Sequence, residues 1–259
     1  MRDRFSNKLA DKFRRAVFFL REYFFPFGCS VCGVNLLNID ETWYGLCGCC
    51  REKIDHELDT MQAGAICDCC GKPLISEQDR CLSCRNGEKR VFDRAAVLFP
   101  YTGLYRELLT AYKFGKNSAL GNYFSEKIRK AVECGTIPHG ACIGPGTIVP
   151  VPPRPGKIRT NGWDQVEFLV RLLEKTGSNM KGLEVNRCLK RLSSRSQKEL
   201  GLENRRTNLK GRIIPVRKVP HTAIVLDDVM TTGSTLDACA SALKDGGAQA
   251  VYGLCLFYD

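Results

Sequence analysis

The sequence predicts an α/β protein in which a mostly parallel sheet carries helices on both faces, preceded by an N-terminal helix and a small cysteine-rich module. Two observations support this fold class. Strand-like and helix-like segments alternate from about residue 90 onward, and C-x2-C pairs recur four times before them. Alternating strands and amphipathic helices are typical of parallel sheets covered on both sides. The predicted division is residues 1–28, 29–88 and 89–259.

The first 28 residues carry an amphipathic pattern. Apolar residues recur at spacings of three and four, with basic residues on the other side: Phe5, Leu9, Phe13, Val17, Leu20 and Phe24. This predicts a helix that packs on the rest of the protein or on a second copy, as in a homodimer, with a membrane-surface helix as the alternative. The apolar run AVFFL is short and lacks a small-residue cleavage site. We therefore expect no signal peptide and no stable membrane insertion.

The cysteine-rich segment contains an internal repeat. CSVCG at 29–33 and CDCCG at 67–71 are one kind of knuckle, while CGCCR at 47–51 and CLSCR at 81–85 are the other. Four thiolates from two C-x2-C pairs form the usual ligand set of a structural zinc site. The sequence therefore predicts a double zinc ribbon that holds two Zn²⁺ ions. The expected ligands are Cys29, Cys32, Cys47 and Cys50 in the first site, and Cys67, Cys70, Cys81 and Cys84 in the second.

The spacing favours one of two adjacent cysteines in two of these knuckles, with Cys49 and Cys69 as the alternative ligands. Cys49 and Cys69 each lie beside an expected ligand, but only their neighbours keep two residues between partners in all four pairs. Gly33 and Gly71 follow the second cysteine of a knuckle, where a tight turn lets backbone amides face the thiolates. An odd total of 15 cysteines, ten of them in this segment, favours a reducing cytoplasm over a secreted disulfide framework.

The net charge points to an anionic partner. The formal charge is +11, and two zinc ions on eight thiolates would leave about +7. A basic chain of this kind favours a nucleic acid, a phosphorylated small molecule, or both.

The C-terminal region is predicted to consist of alternating elements. Strands are predicted at 95–101, 147–152, 222–228 and 250–257, and helices at 103–115, 118–133, 163–177 and 235–248. In parallel sheets of this kind, ligands bind beyond the carboxyl ends of the strands.

The stretch VLDDVMTTGST, residues 225–235, lies at such a strand end. Its hydroxyls and amides would surround the N-terminus of a helix that begins near Ser234, where a phosphate binds well. The stretch has no lysine of the Walker type, so a nucleotide P-loop is not indicated. Asp227 and Asp228 would repel a phosphate and suit sugar hydroxyls, contacted directly or through Mg²⁺. A ribose 5-phosphate fits both halves, and the expected binding residues are Val229, Met230, Thr231, Thr232, Gly233, Ser234 and Thr235.

This strand, acid pair and TTGST resemble the phosphoribosyl pyrophosphate (PRPP) motif of the type I phosphoribosyltransferases. Together with the double ribbon, they resemble the ComF family of competence-associated proteins over roughly residues 25 to 259. Further segments share the resemblance: AYKFGK around Lys113, VPVPPRP at 149–155, NGWDQ at 161–165 and LKRLSSRSQKELGLENRRTNLKG at 189–211.

The resemblance implies a site for PRPP, or another ribose 5-phosphate, with Mg²⁺. Asp227 and Asp228 would be the catalytic pair on the ribose hydroxyls. The backbone at Pro150, Val151 and Pro152 would meet the pyrophosphate. The other implied binding residues are Lys113, Arg159 and Gln165, with Arg191, Gln197 and Arg205 from a segment that closes over the pyrophosphate.

One segment departs from the family pattern. Where the family has Arg-Gly-Phe-Asn-Gln, this chain has NGWDQ, which removes a cation and adds an acid. Arg159, Lys157 or Arg154 would then supply the charge. The alternative is a plain helix cap, with Asn161 capping and Trp163 packing.

Three functions are compatible with these motifs. The first is phosphoribosyl transfer from PRPP to an unknown nucleophile, with release of pyrophosphate. The second is a non-enzymatic role in DNA uptake or processing, with single-stranded DNA or a DNA-processing protein as the partner, although the ribbons offer few aromatics for stacking besides Trp43 and Tyr44. The third is a PRPP-sensing regulator of another protein.

Overall fold

The structure is a computed structural model that describes residues 27–62, 64–87, 89–133, 146–176, 184–193 and 211–259. The predicted N-terminal helix, and with it the expected contact to a second copy, lies outside these residues. So do Gln197 and Arg205.

Five parallel strands form the main sheet, in the order β1-β7-β6-β2-β3. They are β1 (Arg94–Pro100), β2 (Thr147–Pro150), β3 (Glu184–Val185), β6 (Thr222–Met230) and β7 (Ala250–Tyr258). A separate antiparallel pair consists of β4 (Leu189–Arg191) and β5 (Ile213–Pro215). Strand β1 lies at the sheet edge and pairs with β7, which is far from it in sequence.

Eight helices surround these strands in the described residues. Three belong to the cysteine-rich region: α1 (Ile39–Tyr44), α2 (Gly48–Gln62) and α3 (Leu82–Asn86). The others are α4 (Gly103–Lys113), α5 (Ser118–Glu133), α6 (Lys157–Asn161), α7 (Gln165–Thr176) and α8 (Ser234–Asp245). None of the described helices has the length and apolar character that crossing a membrane requires.

The sheet separates two apolar cores. Successive residues of a strand point to opposite faces, and along β6 Ile224 and Leu226 enter one core while Ala223 and Val225 enter the other. The first core is completed by buried residues of α4, α5 and α7, and the second by α8 and the β4–β5 pair. The predicted α/β class with helices on both faces is therefore confirmed.

The two halves of the cysteine-rich region join different cores. Leu46 and Ile54, from the first half, are buried in the core that contains α4 and α5. Cys67 and Cys70, from the second half, are buried in the core that contains α8. The repeat therefore covers both sides of the sheet. The domain boundary predicted at residue 88 stays a prediction.

Tyrosine–carboxylate hydrogen bonds fasten helix α2 and the end of α1 to the α/β region. The hydroxyl of Tyr123 donates to Asp55 over 2.6 Å, and that of Tyr105 donates to Glu57 over 2.8 Å. Tyr44 donates in the other direction, to the carboxylate of Glu126. Since burial and the acceptor both disfavour the phenolate, the pKa of Tyr44 is raised to about 12.

Candidate metal centres and ligand-binding site

The eight cysteines predicted from the spacing form two four-sulfur clusters. Within each cluster all four Sγ atoms lie within 4.8 Å of one another. The Sγ atoms of Cys32 and Cys47 are 3.7 Å apart, as are those of Cys70 and Cys81. A tetrahedron with Zn–S bonds of about 2.3 Å has edges of about 3.8 Å. Both clusters therefore have the dimensions of a four-cysteine zinc site and could each hold one ion.

Backbone amides stabilise one thiolate in each cluster. Burial alone would raise the pKa of Cys29, but amides of Cys32, Cys47 and Val31 donate to its sulfur and lower the pKa to about 7. The same balance lowers the pKa of Cys67 to about 7, through amides of Cys70, Cys81 and Cys69. The repeat predicted from sequence is thus reproduced in the hydrogen bonding of the clusters.

The neighbouring cysteines lie outside both clusters. Cys49 is exposed on α2, and the carbonyl of Cys69 accepts a 2.9 Å hydrogen bond from the amide of Ala95 in β1. The glycines take left-handed conformations, with φ of 73° at Gly33 and 72° at Gly71. A Cβ at Gly71 would lie 2.6 Å from the carbonyl oxygen of Ala95. The second ribbon therefore packs its backbone directly on the edge strand.

The acid pair lies near the carboxyl end of β6, and both side chains are buried. Asp228 Oδ2 forms a 2.6 Å ion pair with the Nζ atom of Lys113 and accepts a 2.6 Å hydrogen bond from Nε2 of Gln165. Asp227 Oδ1 accepts from the amide of Asp228 over 2.8 Å. Three residues separated in sequence by up to 115 positions, Lys113, Gln165 and Asp228, thus meet at one carboxylate.

The two acids have opposite protonation tendencies. Burial, reinforced by the charge of Asp228, raises the pKa of Asp227 well above its usual value. Burial would also raise the pKa of Asp228, but the charge and hydrogen bond of Lys113 outweigh it and lower the pKa. Burial thus favours the neutral form of Asp227, whereas Lys113 favours the ionised form of Asp228.

A second cation reaches the acid site from Lys157, at the start of helix α6 and just before the NGWDQ segment. Lys157 Nζ donates to Asp164 Oδ2 over 2.7 Å and to Gln165 Oε1 over 2.6 Å, so Gln165 lies between Lys157 and Asp228. Of the three candidate cations, Lys157 thus joins the acid site, whereas Arg159 is exposed.

The cap of helix α7 differs from the expected one. Asp164 Oδ1 accepts from the amide of Glu167 over 2.9 Å, so Asp164 rather than Asn161 caps the helix. Asn161 ends the short helix α6, and its carbonyl accepts from Lys116. Trp163 packs as expected, with its ring centroid 4.8 Å from that of Phe168.

The TTGST loop joins β6 to α8. Gly233 has φ of 76° and precedes the first helical residue, Ser234, whose hydroxyl lies 2.8 Å from that of Thr232. Thr231 and Thr232 are exposed. A cleft of about 610 Å³ opens on one side of this loop, between it and the second ribbon, and is lined by Cys84 and Arg90 among others. The acid pair does not line this cleft.

The remaining predicted residues surround the acid pair or lie in the core. Pro150 ends β2, and Val151 and Pro152 are buried next to β6, where the amide of Val151 donates to Leu226. Val229 and Met230 end β6, and Met230 is buried in the second core. Arg191 is half-buried on β4, and its pKa is lowered by burial and by the charge of Arg154.

Sequence reasoning missed Arg90. Its guanidinium donates to the carbonyl of Thr232 and pairs with Asp237 of α8. Arg90 belongs to no motif and lies between the ribbons and β1, so only its position in the fold reveals it.

The chain is similar over most of its length to three competence proteins. It is 26% identical over 233 residues to competence protein F of Haemophilus influenzae, a match that spans 88% of this chain and 95% of the relative. It is 23% identical over 239 residues to ComFC of Bacillus subtilis, covering 86% and 90%. It is 28% identical over 192 residues to ComFC of Streptococcus pneumoniae, covering 71% and 77%. No protein-family model matches the chain.

Fold and site define an α/β protein with a mostly parallel sheet and two four-cysteine clusters in its N-terminal region. Over most of each chain it is similar to competence protein F and the ComFC proteins, and its two four-cysteine clusters fit a double zinc ribbon.

Proposed function

We propose that the protein binds PRPP, or another ribose 5-phosphate, and transfers its phosphoribosyl group to a nucleophile with release of pyrophosphate. The observation that carries the proposal is the succession at the end of β6: a buried acid pair, then a left-handed glycine, then the first turn of α8. A helix N-terminus suits a phosphate, and an acid pair suits vicinal hydroxyls.

The acid pair would orient the ribose. Asp228 would accept from a hydroxyl, and Asp227, whose neutral form is favoured by burial, would donate to one when protonated. Carboxylate oxygens also suit Mg²⁺, which would supply charge neutralisation for the leaving pyrophosphate. The side chains of Lys113 and Gln165 now occupy Asp228 Oδ2, so a bound ribose would compete with them for that oxygen.

The cations around the pair would stabilise the leaving group. Lys113 and Lys157 are connected to Asp228, directly and through Gln165. Arg191, half-buried on β4, would be a third such cation. Fixed cations that face developing negative charge lower the barrier because they need no reorganisation during the reaction.

Calorimetry with the zinc-loaded protein tests binding. PRPP with Mg²⁺ is titrated into the wild type, into Asp228→Asn and into Asp245→Asn, a matched variant that removes an exposed acid at the far end of α8. We expect binding to the wild type and Asp245→Asn, and loss of at least about tenfold in affinity for Asp228→Asn, because a hydrogen bond to a charged group is lost. If the titration into the wild type gives no heat of binding, the proposal is overturned. Binding without pyrophosphate release, across a panel of nucleophiles, would favour the sensing role instead.

The names of the relatives favour a second function, in DNA uptake or processing. Three competence proteins match most of this chain, and the formal charge of +11 suits a polyanion. The test is fluorescence anisotropy with labelled single-stranded DNA at several salt concentrations. A salt-dependent affinity with a steep slope supports this function, and no binding at low salt contradicts it.

A further inference from the structure

We propose that Arg90 is a positioning residue that couples the second four-cysteine cluster to the loop at Thr231–Gly233. The guanidinium of Arg90 contacts the loop, and Arg90 lines a cleft together with three cysteines of the cluster. The proposal deepens the phosphate-binding role of this loop and rests on it for the ligand, but the coupling itself is a property of the protein alone.

Three contacts fix Arg90 against the loop and the helix behind it. Its Nη1 donates to the carbonyl of Thr232 over 2.7 Å and forms an ion pair of 3.0 Å with Asp237 Oδ2. The amide of Val91 donates to the other oxygen of Asp237 over 2.8 Å. A Cβ at Gly233 would lie 3.1 Å from Nη1, so the loop passes close beneath the guanidinium.

The hydrogen bond from Arg90 to the carbonyl of Thr232 sets the direction of the next amide, that of Gly233. In a trans peptide the N–H of the following residue points opposite to the carbonyl. When Arg90 holds the Thr232 carbonyl towards itself, the N–H of Gly233 is directed to the other side of the loop. A carbonyl turned to that side would repel a phosphate, whereas an N–H attracts it.

The ion pair removes an unfavourable charge. Asp237 lies in the first turn of α8, where its carboxylate would repel a bound phosphate. Arg90 pairs with it at a side-chain exposure of 21% for Arg90 and 24% for Asp237, so the two charges are partly shielded from water. Arg90 thus orients one phosphate donor and neutralises the nearest acid.

The second ribbon holds Arg90 in place. Cys84 is the last ligand of its cluster and lies six positions before Arg90. Cys84 and Arg90 line the same cleft, together with the loop residues Thr231–Gly233. The ribbon is anchored to β1 by the bond from Ala95 to Cys69. A metal in this cluster would therefore fix the segment of the second ribbon that precedes Arg90, and with it the contact of Arg90 to the loop.

Hydrogen exchange without ligand tests the coupling directly. We compare the zinc-loaded wild type with Arg90→Gln and with Lys89→Gln, which makes the same charge change one residue earlier. A second matched pair is Cys84→Ser in the second cluster and Cys50→Ser in the first. We expect amide exchange in peptides covering the loop to become about tenfold faster or more in Arg90→Gln and Cys84→Ser. Lys89→Gln should exchange there as the wild type does, and Cys50→Ser should change loop exchange much less than Cys84→Ser does. Wild-type exchange in Arg90→Gln, or equal changes in the two cysteine variants, would overturn the proposal.

Affinity gives a second readout. For PRPP with Mg²⁺, we expect Arg90→Gln to bind about tenfold more weakly or worse while its melting temperature stays near that of Lys89→Gln. Arg90→Lys keeps the charge and should recover part of the affinity. Asp237→Asn in the Arg90→Gln background should recover part of it too, because the unpaired acid is gone. If both variants fold normally and neither recovers affinity, the role assigned to Arg90 is contradicted. If the wild type does not bind PRPP, the proposed function fails, while loop exchange still decides the coupling.

Discussion

Replacing Lys113 with methionine removes the cation paired with Asp228 and keeps most of the apolar stem. Breaking a buried ion pair costs about 3–5 kcal/mol, because the remaining charge is left uncompensated. Here the side chain of Lys113 is 30% exposed and that of Asp228 10%, so water screens part of the interaction. Gln165 also continues to donate to Asp228. We therefore expect a loss of about 2 kcal/mol in the free energy of unfolding.

A double-mutant cycle isolates the pair. Asp228→Asn removes the charge that Lys113 neutralises, so Lys113→Met should cost much less in that background. The expected coupling energy is about 1–2 kcal/mol. Lys116→Met is the matched control, since Lys116 is exposed and donates to the carbonyl of Asn161. It should cost less than about 0.5 kcal/mol.

The free energy of unfolding should change with pH in opposite directions with and without Lys113. In the wild type the pKa of Asp228 is lowered despite burial, chiefly by Lys113, so its contribution to stability is present above the unfolded pKa and is lost as the pH falls. Without Lys113, burial raises that pKa, and stability should instead decline as the pH rises above about 4. Urea unfolding followed by circular dichroism at pH 4 and pH 7 measures both effects. A coupling energy below about 0.5 kcal/mol, or a penalty equal at both pH values, would refute this reasoning.

Three further predictions concern stability. Asp227→Asn should stabilise the protein by about 1 kcal/mol at pH 7 and not at pH 3, because burial raises the pKa of this acid and the acid therefore destabilises the fold increasingly above its unfolded pKa. Urea unfolding that shows no gain at pH 7 would contradict this. Gly71→Ala should lower the free energy of unfolding by about 2 kcal/mol or more, because its Cβ would meet the backbone of Ala95, whereas Gly33→Ala has open space and should lose about 1 kcal/mol for its positive φ. Equal losses in thermal unfolding would exclude the packing argument. A strong chelator with reductant should remove two zinc ions, counted by mass spectrometry, and lower the melting temperature by about 10 °C or more; a protein that melts unchanged after losing both ions would show that the clusters do not stabilise the fold.

Local signals in the sequence predicted much of this structure. The spacing of C-x2-C pairs selected the eight clustered sulfurs over Cys49 and Cys69. The helix predicted at 118–133 has those bounds in the structure, where it is α5, Ser118–Glu133. The acids and glycine of the VLDDVMTTGST stretch lie at the end of β6 as expected.

What the sequence did not reveal depends on contacts between distant residues. Arg90 meets Thr232 across 142 positions, and no local pattern encodes that. Lys157 was one of three candidate cations, and only the turn of α6 and α7 brings it to Gln165. Strands β3, β4 and β5 have two or three residues each, too few to show a period. The roles of the residues around the acid pair remain predictions for the same reason, since a ligand defines them.

The pairing of β1 with β7 has a consequence during synthesis. The amide of Val251 in β7 donates to Asp93, which precedes it by 158 positions. When the ribosome releases β1, its only neighbour in the described sheet has not yet been translated. The cysteine-rich region leaves the ribosome before β1, and metal would fold it, so β1 would already have the hydrogen bond from Ala95 to Cys69. Until β7 is translated, β1 would be an unpaired apolar strand that can bind chaperones or aggregate.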